Sequence, residues 1–357
     1  MGGGVQQLLY NYYKNMNSDK VQFDFIVHSE EIGYFEKKFK KFGSNIFHVT
    51  PKKQSIIKNF LEIKRIIQKG NYDVVHCHQD FSNAVPLFLA KTNSVPIRIS
   101  HAHSNFRKQR FVKGLLNKFL RFINQYYGNY YFACSKEAGK WLHGRKWSGK
   151  RKKDFIMLNA INTHQFKFNP DIRTKYRDEL GFTDEKVVLH VGRFSKEKNH
   201  KFLLKLFNQL YNINDNYKLL LVGSGPLKRE IKELSNNLDS HKNIIFLGAR
   251  SDIAEIMQAS DIFLLPSTYE GFGMTAIEAQ YSGLLTIVSD KVPRSTQISN
   301  LIKYLSLKNI DYWIEEILAF DYNDRNFNLI KNKYDAQHEA CKYENWLMKK
   351  IYSTESR

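Results

Sequence analysis

The sequence of 357 residues has few cysteines and lacks long apolar runs. It contains no run of 18 apolar residues, so no membrane-spanning helix is predicted. Its three cysteines, Cys77, Cys134 and Cys341, have no C-x-x-C spacing, which is typical of a reducing compartment. Met1 is followed by three glycines, unlike the start of a secretory signal peptide. These absences predict a cytoplasmic globular protein without a disulfide framework.

Acidic residues are scarce in the first half of the chain. Residues 1–165 hold 28 Lys and Arg against 10 Asp and Glu, a net charge of +18, whereas residues 166–357 hold 27 against 25, a net charge of +2. The first half should therefore attract an anionic partner, such as a membrane surface, a lipid pyrophosphate or a nucleic acid. The basic segment 142–154 lacks the regular aromatic platforms of a strand-binding surface, so we expect a solvated or membrane-facing loop there and no nucleic-acid partner.

Short apolar segments alternate with helical segments along both halves. This α/β pattern predicts two doubly wound parallel sheets, with domains at residues 1–165 and 166–335 and a C-terminal helix in 336–357. A strand normally precedes a glycine loop that opens a helix. Gly3 and Gly4 open a predicted helix, but no strand comes before them in the sequence. We therefore expect the first domain to lack its first strand, through either an upstream start codon or a genuine truncation.

The segment 261–290 predicts a strand, a glycine-rich loop, a helix and a second strand. Gly271 and Gly273 bracket Phe272, and the helix is expected to begin at Met274. Glycines let backbone N–H groups approach a ligand, and a helix N-terminus favours an anion such as a diphosphate. The sequence therefore predicts an anion site at this turn.

Two carboxylates, Glu270 and Glu278, frame this turn. A carboxylate accepts hydrogen bonds from paired hydroxyls, so Glu270 suits a sugar and Glu278 suits a ribose. In the alternative interpretation Glu270 caps the helix and Glu278 is a surface residue.

The spacing of Glu270 and Glu278 around Gly-Phe-Gly-Met resembles the E-x7-E signature of glycosyltransferase family 4. These are retaining enzymes with the GT-B fold, in which two Rossmann-like domains face a cleft. The chain is similar to the family's enzymes of exopolysaccharide and capsular polysaccharide biosynthesis. This resemblance implies that the second domain binds a nucleotide-sugar donor and that the first binds the acceptor. It also implies that the final helix crosses back to the first domain and that the Gly3-Gly4 loop lies beside the donor phosphates.

Two cations lie on the loop G-R-F-S-K-E-K-N-H. Arg193 and Lys198 can together neutralise a diphosphate leaving group as its charge develops, unless they are only solvated loop residues. The string resembles the family element G-R-x-x-x-x-K-N, whose Arg and Lys hold the donor pyrophosphate. Gly223 and Gly225 alone are a weak phosphate signal. The donor-binding residues that we assign are Gly3, Gly4, Gly223, Gly225, Arg250, Gly271, Phe272, Gly273, Met274, Thr275 and Glu278.

Two His-x-His pairs end the predicted third and fourth strands. His76 and His78, and likewise His101 and His103, lie on one side of their strands, so a metal site is conceivable. No D-x-D motif occurs, and Cys77 points to the opposite side, so we expect no metal and no cofactor. The family places a histidine near the transferred sugar, a position that His101 or His103 matches. The catalytic residues that we assign are His101, His103, Arg193, Lys198 and Glu270.

The leading hypothesis is a retaining, metal-independent glycosyltransferase. It would move a hexose from a UDP-linked donor to a lipid-linked or saccharide acceptor, at the inner face of the cell membrane, during surface polysaccharide assembly. The alternatives are a non-catalytic basic module that binds nucleic acid or membranes, a decayed enzyme on the same fold, and a nucleotide-sugar epimerase.

Overall fold

The structure is a computed structural model that describes residues 4–103, 111–320, 325 and 334–355. Its strands are β1 (Phe25–Val27), β2 (Ile46–His48), β3 (Val74–Cys77), β4 (Ile97–Ala102), β5 (Tyr130–Ala133), β6 (Asp154–Ile156), β7 (Lys186–Val191), β8 (Tyr217–Val222), β9 (Ile244–Gly248), β10 (Ile262–Leu265), β11 (Leu285–Ser289) and β12 (Ile302–Leu305). Its helices are α1 (Gly4–Tyr13), α2 (Glu36–Lys40), α3 (Ile56–Gly70), α4 (Ala84–Thr92), α5 (Phe111–Tyr127), α6 (Lys136–His143), α7 (Thr163–Phe166), α8 (Pro170–Leu180), α9 (His200–Ile213), α10 (Lys228–Ser235), α11 (Ile253–Ala259), α12 (Met274–Tyr281), α13 (Asp311–Leu318) and α14 (Ala336–Glu355). None of these described helices is long and apolar enough to cross a bilayer.

The chain divides into two compact units. Residues 161–333 form a continuous unit, and residues 2–160 and 334–357 together form a discontinuous unit. Both are α/β units with parallel strands, because in each of them apolar strand segments alternate with helices along the chain.

The continuous unit contains one parallel sheet in the order β12-β11-β10-β7-β8-β9. Strand β10 is buried throughout, as expected for a parallel strand covered by helices on both faces. The chain leaves β7 toward β8 on one side and leaves β10 toward β11 on the other. The sheet therefore has its topological switch point between the neighbouring strands β7 and β10, the place where ligands of open α/β sheets bind.

Local signals set the helix ends in this unit. Helix α8 begins after Asn169, whose side chain accepts hydrogen bonds from the backbone of Asp171 and Ile172. Pro170 occupies the first helical turn, where its missing N–H costs nothing. The helix ends at Gly181, which has a left-handed φ of 73° that glycine adopts without strain.

The discontinuous unit contains two sheets, where the sequence predicted one. Strands β3-β4-β5-β6 form a four-stranded parallel sheet, and β1 and β2 form a separate parallel pair. All three residues of β1 are only partly buried, unlike those of β10. Among the described residues no strand ladder joins β1 to β3. The predicted single doubly wound sheet is therefore divided between these two strands.

Helix α14 belongs to the discontinuous unit although it lies at the far end of the sequence. Tyr343 and Leu347 of α14 are buried in one apolar cluster with Leu8 and Tyr12 of α1. The Tyr12 hydroxyl donates to the Leu158 carbonyl at 2.8 Å, which ties α1 to the end of the first segment. The core of this unit is therefore completed by the last residues of the chain.

Asp261 is the buried anion that organises the start of the sheet in the continuous unit. Its carboxylate lies 2.6 Å from Arg173, 3.5 Å from Arg177 and 3.3 Å from Arg325, and it accepts the Val187 backbone N–H at 2.8 Å. The side chain of Asp261 is only 5% exposed. One carboxylate therefore binds three guanidinium groups and the backbone of β7.

We expect Asp261→Asn to lower the free energy of unfolding by about 3 kcal/mol, because it leaves buried guanidinium groups without their counter-ion. Urea denaturation followed by circular dichroism measures this loss. The matched control is Glu179→Gln, which removes an exposed pair to Lys175 at 3.8 Å and should cost less than about 0.5 kcal/mol. Equal losses in the two variants would contradict a structural role for the Asp261 cluster.

Candidate active site

The two loops that follow β7 and β10 are joined at the topological switch point. Lys198 Nζ lies 2.5 Å from Glu270 Oε1, and the Thr268 backbone N–H donates to the Glu197 carbonyl at 2.8 Å. The side chains of Lys198 and Glu270 are 20% and 11% exposed, so the ion pair is shielded yet reachable. Two residues that were assigned from separate motifs therefore lie side by side.

The Glu270 carboxylate is also fixed from its own strand end. Ser267 Oγ donates to Glu270 Oε1 at 2.7 Å, and Ser289 Oγ of β11 donates to the Ser267 carbonyl at 2.5 Å. This series of hydrogen bonds links β11, the loop after β10 and the Lys198 ammonium. It holds one carboxylate oxygen in place while Glu270 Oε2 has no hydrogen bond to a described residue.

Arg193 lies on the same loop as Lys198 but is exposed. Within the described ranges no hydrogen bond or ion pair engages its guanidinium. An unpaired guanidinium presents several N–H donors in the planar geometry that binds phosphate oxygens. On this loop Lys198 is therefore paired with a carboxylate, whereas Arg193 has no such partner among the described residues.

Gly223 and Gly225 are required by the packing of neighbouring loops. A Cβ at Gly223 would meet the Gly192 carbonyl oxygen at 1.9 Å, and one at Gly225 would meet backbone atoms of Phe194 at 2.5 Å and beyond. The Phe194 backbone N–H donates to the Ser224 carbonyl at 2.9 Å. These glycines allow the loops after β7 and β8 to come together. The sequence had indicated only a weak phosphate signal for them and did not predict this packing role.

Helix α12 begins at the glycine-rich turn after β10. Gly273 has a left-handed φ of 90° and precedes Met274, the first helical residue. Met274 and Thr275 are partly exposed, whereas Phe272 is buried at 6% exposure. The first-turn N–H groups of the helix have no acceptor within it and carry partial positive charge, so this end can bind an anion.

Glu278 lies in the second turn of α12 and is partly buried. Burial raises the pKa of its carboxyl group to about 7. Among the residues that the structure describes, none donates a hydrogen bond to this carboxylate. A partly buried carboxylate without a partner is a candidate for ligand binding.

Arg250, Gly4 and Gly3 were also assigned to the donor site. Arg250 is exposed, and its guanidinium binds Asp252 through two nitrogens, one of them at 2.8 Å. Gly4 begins α1 and has open space where a Cβ would lie, so packing does not require glycine there. Gly3 lies outside the described residues.

Four histidines of the discontinuous unit form two hydrogen-bonded pairs whose rings lie against each other at the carboxyl ends of β3 and β4. His76 Nε2 lies 3.0 Å from His101 Nδ1, and His78 Nδ1 lies 2.8 Å from His103 Nε2. The Tyr343 hydroxyl lies 2.9 Å from His76 Nδ1. His101 is fully buried, and its Nε2 has no hydrogen-bond partner among the described residues, whereas His103 is partly exposed.

Burial keeps this histidine cluster neutral at physiological pH. It lowers the pKa of His76 to about 3 and that of His103 to about 4, and it lowers those of His78 and His101 well below their usual range. His76, His78 and His101 place ligand nitrogens within 4.8 Å of one another. Burial also raises the pKa of the Cys77 thiol to about 12, so this thiol is protonated at physiological pH.

Two contributors to these sites were not predicted from the sequence. Ser267 positions Glu270 from three residues upstream, a spacing that could have suggested a local hydrogen bond. Tyr343 contacts His76 from 267 residues away, and no local signal marks such a contact.

The titration of Glu278 generates a stability prediction. Because its pKa is raised from 4.5 to about 7, the stability linked to its protonated form is fully present below about pH 4.5 and is lost as the pH rises through 7. We expect Glu278→Gln to raise the free energy of unfolding by about 1 to 2 kcal/mol at pH 8.5, after allowance for partial exposure, and by almost nothing at pH 4.5. Urea titrations of the wild type and of Glu278→Gln at both pH values measure how much the substitution changes the free energy of unfolding. A change of the same size at pH 4.5 and at pH 8.5 would contradict the raised pKa.

Known families match both halves of the chain. Residues 2–163 match the family model described as Glycosyltransferase Family 4, and residues 172–311 match the model described as Glycosyl transferases group 1. Together these matches cover all twelve described strands of the two units, and they include the Lys198, Glu270 and Glu278 motifs.

Individual relatives extend over nearly the whole chain. The Bacillus subtilis (strain 168) protein EpsF, which is named as a glycosyltransferase, is 31% identical over 351 residues, covering 95% of this chain and 91% of EpsF. The capsular polysaccharide biosynthesis glycosyltransferase CapH of Staphylococcus aureus is 24% identical, covering 84% of this chain and 81% of CapH.

A solved structure shares the fold. The crystal structure of Anabaena HepE in complex with UDP and glucose superimposes with a TM-score of 0.74 at 17% identity, covering 99% of this chain and 96% of HepE. At this identity the likeness shows the fold alone. The two parallel α/β units therefore form a GT-B fold, and the chain belongs to glycosyltransferase family 4.

Proposed function

We propose that this glycosyltransferase transfers a sugar from a UDP-linked donor to a lipid-linked or saccharide acceptor, with retention of configuration, in surface polysaccharide assembly. The observation that carries the proposal is the Lys198–Glu270 pair at the topological switch point of the continuous unit. Support for the donor comes from HepE, which binds UDP and glucose, and support for the process comes from CapH.

The donor groups have complementary partners at this edge of the sheet. Arg193 and Lys198 supply positive charge for a diphosphate, as do the first-turn N–H groups of α12. Glu270 offers its second oxygen to hydroxyls of the transferred sugar, and Glu278 offers its carboxylate to the paired hydroxyls of a ribose. We assign the hydroxyl-binding roles to the two carboxylates because their remaining oxygens have no hydrogen bond to a described residue.

In the proposed step the acceptor hydroxyl oxygen bonds to the anomeric carbon from the face that the diphosphate leaves. The bond between that carbon and the diphosphate oxygen breaks, and UDP carries away the electron pair. The hydroxyl proton passes to a phosphate oxygen of the departing group. Arg193 and Lys198 stabilise the charge that develops on this group, so the step requires no protein nucleophile.

We propose that His103, rather than His101, contacts the substrate. It retains accessible surface at the end of β4, whereas His101 is fully buried and stacks against His103 with ring centroids 4.1 Å apart. A neutral imidazole can donate to or accept from a sugar hydroxyl. His101 is then a positioning residue that holds the His103 ring.

We further propose that transfer needs no metal ion. One ring nitrogen of His76 shares a hydrogen bond with one of His101, and one of His78 shares a hydrogen bond with one of His103. The hydrogen-bonding groups of the cluster are therefore largely satisfied without an ion. The cations Arg193 and Lys198 take the role that a divalent ion would have at the diphosphate.

Arg193→Ala, Lys198→Ala and Glu270→Ala are each expected to lower turnover by at least about 100-fold, because each removes a group that stabilises the transition state. Release of UDP from UDP-glucose, measured in EDTA, reports turnover. The matched control is Lys196→Ala, which removes an exposed cation from the same loop and should leave turnover nearly unchanged.

Thermal unfolding with and without UDP separates binding from catalysis. Saturation at one hundred times the dissociation constant should stabilise the wild-type protein by about 2.7 kcal/mol. Normal turnover in all three alanine variants, together with normal stabilisation by UDP, would refute this assignment of the site.

A membrane-facing surface is proposed on α5 of the discontinuous unit. Leu115, Phe119, Phe122 and Tyr126 follow helical spacing along one stripe, and each is at least 52% exposed. Lys118 beside the stripe is also exposed, and residues 1–165 carry a net charge of +18. An apolar stripe on a basic unit suits the interface of an anionic bilayer, which supports a peripheral location at the inner face of the membrane.

The double variant Phe119→Asp/Phe122→Asp should weaken binding to phosphatidylglycerol-containing vesicles by at least about tenfold, since it removes inserted apolar area and adds repelled charge. Vesicle sedimentation at low and high salt measures the binding. Ile213→Asp, which changes an exposed apolar residue of the continuous unit, is the matched control and should bind as the wild type does. Unchanged binding of the double variant would place the membrane contact elsewhere.

None of the alternative functions gains support from the names of the relatives. EpsF and CapH are both named as glycosyltransferases, and neither name describes an epimerase or a nucleic-acid-binding module. An epimerase would convert the donor without any acceptor, so turnover that depends on an added acceptor distinguishes it from the proposed transferase.

A further inference from the structure

A lysine without a carboxylate partner lies at the carboxyl ends of the strands in the discontinuous unit. Lys52 follows β2, and its Nζ donates to Gln79 Oε1 at 2.9 Å. Within the ranges that the structure describes, no carboxylate forms an ion pair with this ammonium. Because an amide oxygen does not neutralise the charge, Lys52 keeps the capacity to bind an anion.

The surroundings of Lys52 make its uncompensated charge costly. Lys52 is only partly exposed, whereas the neighbouring Lys53 is exposed. Burial lowers the pKa of the Lys52 ammonium, and the nearby Cys77 thiol offsets this effect only in part. His28 on the other side is neutral at physiological pH, since burial and then the charge of Lys52 lower its pKa to about 4. An anion that reached Lys52 would therefore be held more strongly than one at a solvated lysine.

The lysine is connected to the histidines of the proposed substrate site. Gln79, which accepts from Lys52, directly follows His78, and His78 Nδ1 lies 2.8 Å from His103 Nε2. The Gln79 backbone N–H is fixed by the fully buried Asn83, whose Oδ1 accepts it at 2.6 Å. A molecule that contacts His103 with one group can therefore reach Lys52 with a neighbouring group.

The helix that begins beyond Lys52 exposes apolar side chains. Ile56, Ile57 and Leu61 of α3 are 73%, 75% and 53% exposed. Ile57 and Leu61 are four residues apart and share a face of the helix. The chain enters α3 from the carboxyl end of β2, so these side chains lie at the same edge of the unit as Lys52. Clustered apolar side chains beside a cation favour a ligand that is both apolar and anionic.

This apolar helix end belongs to the same helical layer as the proposed membrane surface on α5. The ring of Phe60 in α3 lies 6.4 Å from that of Phe88 in α4, and the Phe88 ring lies 5.1 Å from that of Tyr127 in α5. Helix α4 therefore packs between the other two. The exposed apolar residues of α3 extend the layer that carries the α5 stripe toward the edge where Lys52 and His103 lie.

We propose that Lys52 and the first turns of α3 form a subsite for the phosphate or diphosphate that joins an acceptor saccharide to an apolar chain. The inference rests on the proposed function, because it specifies the acceptor of the same transferase. Lys52 binds phosphate oxygens, Ile57 and Leu61 contact the first carbons of the apolar chain, and His103 contacts the sugar.

The combination of groups distinguishes between the two acceptor classes. A neutral saccharide would leave the Lys52 charge uncompensated, and a water-soluble sugar phosphate would leave Ile56, Ile57 and Leu61 in water. A lipid-linked phosphosaccharide satisfies both the cation and the apolar side chains. The subsite therefore favours the lipid-linked acceptor.

Farnesyl diphosphate is a suitable probe because it carries a diphosphate on an apolar chain and has no sugar. Its binding to the full chain is measured by isothermal titration calorimetry with saturating UDP, which occupies the proposed anion site of the continuous unit. We expect Lys52→Met to weaken binding at least about tenfold, because the variant loses the cation but keeps an unbranched side chain. The matched control is Lys53→Met, which should weaken binding by less than about twofold. Equal effects of the two substitutions would overturn the subsite.

Inorganic pyrophosphate separates the contribution of the anion from that of the apolar chain. We expect it to bind at least about tenfold more weakly than farnesyl diphosphate, and we expect Ile57→Ser to weaken binding of farnesyl diphosphate alone. Ile213→Ser, which changes an exposed residue of the continuous unit, should leave both affinities unchanged. Equal affinities for the two probes would overturn the role of α3 and favour a water-soluble phosphorylated acceptor.

Amide hydrogen exchange gives the location of the bound probe. Farnesyl diphosphate should slow exchange in residues 50–61, and slowing that is confined to α5 would overturn the proposed location. Failure of the subsite is distinguishable from failure of the proposed function. Normal stabilisation by UDP without Lys52-dependent binding of farnesyl diphosphate would refute only the subsite, whereas Lys52-dependent binding without any effect of UDP would refute the donor assignment and retain the subsite.

Discussion

The contact between Lys198 and Glu270 is the interaction on which the candidate active site depends. Neighbouring parallel strands deliver two loops to one edge of the sheet, and this ion pair fixes those loops relative to each other. Ser267 and Ser289 extend the connection to the next strand. A network of this kind limits the freedom of the side chains that belong to it, so it holds the Glu270 carboxylate and the Lys198 ammonium in fixed positions.

Much of the fold could be predicted from the sequence, because apolar strands and amphipathic helices alternate in both halves. The family was confirmed, since Glu270 and Glu278 with their intervening glycines form a string that is specific in both residue type and spacing. The division of the first sheet could not be located in this way, because side-chain periodicity does not reveal which strands pair. The network around Asp261 was also unpredictable, since its cations come from positions as distant as Arg173 and Arg325.

The histidines show why residue type alone is a weak guide to chemistry. His101 and His103 are equivalent as sequence positions at the end of one strand, but only His103 retains accessible surface. The neighbouring rings of His76 and His78 occupy hydrogen-bonding nitrogens that a metal would otherwise use. Burial, which depends on the packing of α14 and β3, determines which of these imidazoles can meet a substrate.

The discontinuous unit has a consequence for synthesis on the ribosome. Its core requires Tyr343 and Leu347, which leave the exit tunnel only after the whole continuous unit has been made. Residues 161–333 can thus acquire their packed core while the chain is still growing, whereas the earlier-made segment waits for its closing helix. The core that contains Tyr343 and Leu347 can therefore close only after residues 161–333 have been synthesised.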